Sequence, residues 1–446
     1  MRVKLIQPLM HKRPMDTDLK IRMSPPLGLY TIANILRNEH EVIVENENIR
    51  SINFDDIPDV VGISINIDSL SRAIEIASKF REKGALVVAG GILVTTASKF
   101  IPNDTFDTLC IGAAEGTWPQ IMEDIKNNSL KKVYRCNRTL TPEEIVGPAY
   151  DMINKSDYLY SNIIHTSRGC PFRCDFCYNS SIERQYINRR VEDVMKEVLE
   201  ANCKHIMFVD DNFIGNPKWT RRLMAELKAH KIKWNAAVSI NVVNIPGLLD
   251  DMKDCGCQGL FIGFESINPG SVSNVHKIQN DVKTYEHAIS EIHKRGIMIN
   301  ASLVLGLDGD TKETFAATVE WIVKNKIETV TSHILTPFPG TVVFDKMQEQ
   351  NRLLTTDLDL YNTAHVVMQP QNMTAEELYK GYLWVYKEVY SFKNILRRIP
   401  KSPKQIPAYL TFNLFYRKWG KFTEWLCNKI TFERIGYWAE KVSRYI

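Results

Sequence analysis

The 446-residue sequence predicts an α/β protein built from an N-terminal doubly wound, Rossmann-like sheet, a partial (β/α)6 TIM-like barrel and a helical C-terminal region. Three observations carry that prediction. Short apolar runs ending in Gly, Pro or small polar residues recur between Val3 and Ile111, and again between Ile163 and Leu335. Amphipathic stretches of helical period lie between them. No apolar run reaches the roughly 18 residues of a membrane span. A composition of 44% hydrophobic and 24% charged residues is globular, and the length is a prior for two or three domains.

The first module opens on the run Val3–Gln7. Pro25, Pro26 and Gly28 lead into a helix with Leu29, Ile32, Ala33 and Leu36 on one face. Glu41–Val44 and the buried Val60–Ile65 read as strands. Leu70, Ala73, Ile74, Ala77 and Phe80 form the next helical stripe, and Ala85–Ala89 and Thr108–Ile111 the next two strands. Continuous apolar strands between amphipathic helices argue for a parallel sheet covered on both faces. Ligands of such sheets sit beyond the strand carboxyl ends. Ser64, Asn66, Asp68, Gly90, Gly91 and Glu115 lie at those ends. This module is expected over residues 1–130, with a polar, Pro-containing linker over 131–158.

The barrel strands are expected at Ile163–Thr166, His205–Val209, Asn235–Ser239, Gly259–Gly263, Met298–Val304 and Thr329–Leu335, within a domain of residues 159–345. Helical stripes separate them: Val191, Val194, Met195, Val198 and Leu199; Tyr285, Ala288, Ile289 and Ile292; Phe315, Val319, Ile322 and Val323. Barrel chemistry belongs at strand carboxyl ends, which places Asp210, Asp211, Asn212, Ser239, Asn241 and Glu265 at the mouth. Gly306, Asp308, Gly309 and Asp310 read as a turn. Arg189 is either a ligand contact or a solvated helix-start residue. Residues 346–446 show helical patterns.

The nine cysteines suit a reducing compartment rather than a disulfide framework. The N-terminal stretch has no signal-peptide pattern, so a cytoplasmic chain is expected. Six cysteines are scattered. Cys170, Cys174 and Cys177 form CxxxCxxC just after the first barrel strand. Three thiolates on one tight loop can hold three irons of a [4Fe–4S] cluster and leave the fourth open. A zinc site is the alternative, but zinc prefers four tetrahedral ligands and no local fourth stands out.

This triplet, with Phe176 before its last Cys, resembles the radical S-adenosylmethionine superfamily. The resemblance implies a [4Fe–4S] cluster on Cys170, Cys174 and Cys177. Its open iron would bind S-adenosylmethionine, and an external donor of the flavodoxin or ferredoxin type would supply electrons. By the same resemblance Asp210, with Asp211 and Asn212, meets the methionine amino group, Glu265 meets the ribose, and Ser239 and Asn241 add polar contacts. PPLGLYTIA at 25–33, VVGISINIDS at 60–69, AGG at 89–91 and IGAAEGTWP at 111–119 resemble the cobalamin-binding domain that precedes the radical domain in one subclass. Corrin contacts are then implied at Ser64, Asn66, Asp68, Gly90, Gly91 and Glu115. There is no DxHxxG, so no protein ligand to cobalt is evident, and a doubly wound domain that has lost its ligand is the alternative.

The reaction implied is methyl transfer to an unactivated carbon of a lipid or natural product. Cyclisation, rearrangement or carbon–carbon coupling is the second reading, and a non-catalytic iron–sulfur carrier the third. Net charge is only +4, yet residues 391–446 hold 12 Lys and Arg against 3 Asp and Glu, together with 12 of the 43 aromatics. Phe412, Phe415, Tyr416, Trp419 and Phe422 recur at helical spacing. Such a tail suits an anionic bilayer surface, here the inner membrane face, or a helix packed on the barrel. It carries no nucleic-acid motif.

Overall fold

A computed structural model describes residues 1–15, 22–182 and 186–416. The N-terminal module runs β1 (Arg2–Gln7), α1 (Leu27–Leu36), β2 (Glu41–Asn46), β3 (Val60–Ser64), α2 (Leu70–Glu82), β4 (Leu86–Gly90), α3 (Ile92–Ala97), β5 (Thr108–Ile111), α4 (Trp118–Lys126) and β6 (Val133–Arg135). The strands form one parallel sheet in the order β2-β1-β3-β4-β5-β6. Val61, Ile63, Val87 and Ala89 pack on one face of it, and Val3, Leu5, Val60 and Val88 on the other. Lys4 is the buried exception, and its ammonium meets Glu45 at 3.2 Å and Asp56 at 3.4 Å. The expected linker starts too early: Val133–Arg135 pairs in parallel with β5 as the sixth strand. Only Tyr134 of that strand is buried, so its sequence lacks the apolar run that announces the others.

After a crossing segment come β7 (Ile163–Ile164), β8 (Ser167–Arg168), β9 (Ile187–Asn188), α5 (Val191–Glu200), β10 (His205–Phe208), α6 (Pro217–Ala229), β11 (Lys233–Val238), α7 (Leu248–Asp254), β12 (Cys257–Glu265), α8 (Pro269–Ser273), α9 (Tyr285–Lys294), β13 (Met298–Leu305), α10 (Lys312–Lys324) and β14 (Thr329–Ile334). The six barrel strands lie in the order β14-β13-β12-β11-β10-β7, all parallel. An open barrel leaves two edges, each with unpaired backbone groups. At β7 the Tyr150 hydroxyl donates to the Ile163 carbonyl. At β14 the cover is α12, introduced after α11 (Val342–Glu349) and spanning Ala375–Val389. The Tyr386 hydroxyl takes the Ser332 N–H at 3.0 Å and donates to its carbonyl at 3.0 Å. Tyr390 does the same for Val330 at 2.9 and 2.6 Å.

Two short helices follow, α13 (Phe392–Arg397) and α14 (Ile406–Tyr416). They lie at the strand amino ends. Fully buried Arg398 donates to the carbonyls of Ile327, Glu328 and Val389, and Gln405 donates to the Gly296 carbonyl. The aromatic repeat from Trp419 onward lies outside the described residues. No described helix is long and apolar enough to cross a membrane.

Candidate active site

The strand carboxyl ends of the two modules face each other. Arg168, beyond β7, donates to Glu115, beyond β5, at 2.8 Å. Phe100 of the first module meets Phe344 of α11 edge to face. Gly340 has φ +88°, and a Cβ there would stand 2.5 Å from the Thr96 carbonyl, so this junction requires glycine. Tyr361 and Val367 pack into the core of the first module, and the Thr363 carbonyl accepts from Ile334 at the end of β14. The chain between α11 and α12 thus bridges the two mouths. Between the modules lies a cavity of about 340 Å³, whose lining includes Pro25, Gly28, Thr31, His165, Arg168 and Arg189. Burial between Arg168 and Arg189 pushes His165 down to about 3, so its imidazole is neutral.

Cys170, Cys174 and Cys177 sit on the loop that leaves β8. The Cys177 N–H donates to the Cys174 carbonyl at 3.0 Å, and the Ser180 hydroxyl to the same carbonyl at 2.8 Å, closing a tight turn. Burial raises all three thiols, Cys177 to about 12. Backbone N–H groups of Phe172 and Asn179 point at Cys170 and Cys177. Buried thiols with N–H donors aimed at them suit metal-bound thiolates, because a metal supplies the charge that burial opposes. Cys177 feels both other thiols electrostatically. Yet among the described residues no three His, Cys, Asp or Glu side chains gather as a single metal ion requires.

Asp210 is buried, and its Oδ1 accepts from the Thr166 and Ser167 N–H groups at 2.9 and 2.5 Å and from the Ser167 hydroxyl at 2.6 Å. It therefore braces the chain that enters the cysteine loop. Its Oδ2 is buried without a partner, and burial lifts the carboxyl to about 6 against the pull of its donors. Asp211 lines the open mouth, and the protein crowding it raises its carboxyl. Asn212 donates to the Ser239 hydroxyl at 3.2 Å, and Ser239 donates to Asn241 at 2.6 Å, tying the ends of β10 and β11.

Glu265 ends β12 at a bulge, with φ +63°. That left-handed conformation is costly for a residue with a Cβ and turns the carboxylate inward. There it binds the buried Lys277 ammonium. A Cβ on Gly263 would collide with Glu265 Oε1 and stand 2.7 Å from Lys277 Nζ, so the pair exists because Gly263 is empty. Lys277 also lies 5.8 Å from the Phe176 ring centroid.

In the first module, Ser64, Asn66, Asp68, Gly90, Gly91 and Glu115 gather at one end of the sheet. Gly91 has φ +100° and packs against the Ile65 backbone, so its glycine serves the turn. Burial raises Asp68, and Glu115 Oε2 is buried without a partner. The solvated reading of Arg189 fails: it is 3% exposed, pairs with Glu197 and donates to the His165 carbonyl at 2.9 Å, at the wall of the cavity between the modules. Asp310 accepts from Gly306, Leu307 and Ser271 as a turn brace. Sequence reasoning missed Lys277, Gln279 and Arg168. Each acts through a partner remote in sequence, and none lies in a local pattern.

Fold and site together define a two-module α/β enzyme with a three-cysteine loop at a barrel mouth. The Radical SAM superfamily profile matches residues 164–322, which span the barrel from β7 into α10. It is similar to a bacteriochlorophyllide d C-12(1)-methyltransferase of Chlorobaculum tepidum, 27% identical over 89% of this chain and 90% of that one. It is also similar to a hopanoid C-2 methylase of Rhodopseudomonas palustris, 27% identical over 78% and 68%. Among solved structures, the radical S-adenosylmethionine methyltransferase TsrM from Kitasatospora setae, with cobalamin and a [4Fe-4S] cluster bound, covers 99% of both chains at 15% identity with a TM-score of 0.68. The cobalamin-dependent enzyme OxsB covers 95% of this chain and 72% of its own, with a TM-score of 0.70. These two likenesses show the fold.

Proposed function

We propose that the protein is a cobalamin-dependent radical S-adenosylmethionine C-methyltransferase acting on a large, mainly apolar substrate such as a lipid. The observation that carries this reading is the two facing sets of strand ends, bridged by Arg168 and Glu115, within a chain related along almost its whole length to named methyltransferases. When bound, the cluster and S-adenosylmethionine supply a 5′-deoxyadenosyl radical, and cobalamin supplies a methyl group. Cys170, Cys174 and Cys177 would hold the cluster. Asp211, Asn212 and Glu265 would orient S-adenosylmethionine, while Asp210 holds the loop. Ser64, Asn66, Asp68, Gly90, Gly91 and Glu115 would face the corrin. An external one-electron carrier would reduce the cluster, and the basic tail would touch an anionic membrane surface.

The test is anaerobic reconstitution with cobalamin, reduction with dithionite and product analysis. Expected are 5′-deoxyadenosine, lost in Cys174→Ala, and a product heavier by one methylene. Turnover without that mass gain transfers support to cyclisation, rearrangement or coupling. No 5′-deoxyadenosine overturns both enzyme readings.

A further inference from the structure

The barrel strands turn alternate side chains to the helices outside and to the lumen inside. Leu260, Ile262 and Phe264 of β12 pack in the core shared with α9 and α10. Phe261, between them, therefore points into the lumen. It is 38% exposed, although its strand has a neighbour on each side. The strand register sets its surroundings. Ala237 of β11 lies on one side of Phe261 and Asn300 of β13 on the other, with Thr329 of β14 beyond Asn300. The next layer toward the carboxyl ends is Gly263, Ser302 and Thr331. A closed eight-stranded barrel fills such inward positions with bulky branched side chains in stacked layers. At these two layers they are Ala, Gly, Ser, Thr and Asn around one partly bare ring.

The space has a floor, a roof and a way in. Met207, Asn235, Gly259 and Met298 form the layer below Phe261, and Asn235 Oδ1 would lie 3.4 Å from a Cβ on Gly259, so its amide covers that glycine. Above, the Glu265–Lys277 pair overhangs Gly263. Val209, two residues on from Met207, is also 38% exposed, and it borders the cavity between the modules. Between the Glu265–Lys277 pair and Lys233 at the foot of β11, no described Asp, Glu, Lys or Arg lies on the inward face of β10 to β14. One wall is apolar, from Val209 through Ala237 to Phe261. The facing wall carries neutral hydrogen-bonding groups. There the Thr331 hydroxyl donates to Asn300 Oδ1 at 3.3 Å, and among the described residues no protein acceptor takes the Asn300 amide N–H groups.

We propose that this lumen holds the apolar body of the substrate, and that the substrate is an uncharged lipid alcohol or ketone. Its hydrocarbon lies on Phe261 and its oxygen accepts from the Asn300 amide. This rests on the function proposed above and names the chemistry of its substrate. An apolar pocket with a few placed polar groups is the usual form of a small-molecule site, and a bare aromatic ring gives such a ligand a broad contact. A carboxylate or phosphate held here would be buried with no cation free to pair with it, a cost that a hydroxyl or carbonyl avoids.

The test is fluorescence titration of the full chain with two neutral probes, dehydroergosterol and parinaryl alcohol, and with parinaric acid as the anionic probe of the same chain length. Both alcohols should bind saturably, and the parinaryl alcohol at least tenfold more tightly than the acid. Ala237→Phe puts a second ring beside Phe261 and should weaken both alcohols at least tenfold, with the melting temperature and cluster absorbance showing that the fold is kept. Asn300→Leu keeps the volume and removes the amide. It should weaken both alcohols about fivefold, the worth of one neutral hydrogen bond. If Ala237→Phe does not fold, Asn300→Leu decides. Leu199→Ser, at a residue 48% exposed on α5, should leave binding unchanged. Absence of binding by both alcohols overturns the proposal, as does unchanged binding in Ala237→Phe and Asn300→Leu. Acid bound as tightly as alcohol overturns the uncharged class, and an equal loss in Leu199→Ser would mean adsorption to the surface. Binding needs no turnover, so a protein that yields no 5′-deoxyadenosine with dithionite would sink the enzyme reading separately.

Discussion

Asp210 shows how one carboxylate can serve a site without lining it. Three donors converge on Oδ1, yet burial and the partnerless Oδ2 win, and the carboxyl stands at about 6. Its folded value is above the unfolded one, so between the two the folded state holds the proton more tightly. The contribution to stability is therefore full below about pH 4 and is lost as pH rises through about 6, a change on the order of 3 kcal/mol. Asp210→Asn keeps an oxygen for the same donors and cannot ionise. Thermal denaturation at pH 4 and pH 7 should show the variant gaining on the parent protein at the higher pH. A difference independent of pH would mean that Asp210 is ionised throughout. The sequence placed Asp210 at a strand end but could not show that it faces Thr166 and Ser167. The cysteine ligands were legible because all three lie on one local loop. Gln279 was not, because its contact with Cys174 spans 105 residues.

At the scale of elements, the open barrel solves its β14 edge with side chains instead of a seventh strand. The hydroxyls of Tyr386 and Tyr390 replace a neighbouring backbone at Ser332 and Val330. Tyr386→Phe and Tyr390→Phe keep the rings but strand a buried N–H and C=O at each site. Each should cost about 1–3 kcal/mol, and the double variant more than either alone but not the simple sum, because the two rings stack at 6.1 Å on the same edge. Midpoints of thermal unfolding check this; no loss in the double variant would mean that water takes over the edge. The helical period of Leu378, Tyr382, Val385 and Val389 is visible in the sequence, and it correctly reads as a packed face. That two tyrosines on that face cap a strand is not visible, since periodicity reports burial and not hydrogen bonding. The same limit hid β6, whose three residues bury only Tyr134 and leave no apolar run to notice.

At the scale of the whole molecule, the barrel has two unlike poles. The strand carboxyl ends meet the first module and carry the candidate chemistry. The amino ends are closed by α13 and α14, riveted by Arg398. The charge asymmetry of the sequence therefore splits in two. Residues 391–416 hold five Lys and Arg and no acidic residue, and one of the five, Arg398, is an internal fastener. Lys393, Arg397, Lys401 and Lys404 are exposed beside Leu396, which is 63% exposed. A chain ending at Ser391 would strip the Ile327 and Glu328 carbonyls of their donors, so its instability would mimic a loss of membrane binding. A chain ending at Tyr416 keeps Arg398 and its partners, and should retain the melting temperature of the full protein. Co-sedimentation with vesicles containing anionic lipid then locates the membrane contact. The full chain should bind, and the chain ending at Tyr416 should bind more weakly, because seven further Lys and Arg lie beyond it and each near an anionic surface contributes about 1 kcal/mol. Equal binding by both would assign the contact to the exposed cations around Leu396. No binding by the full chain would remove the membrane from the proposal and leave the tail as packing.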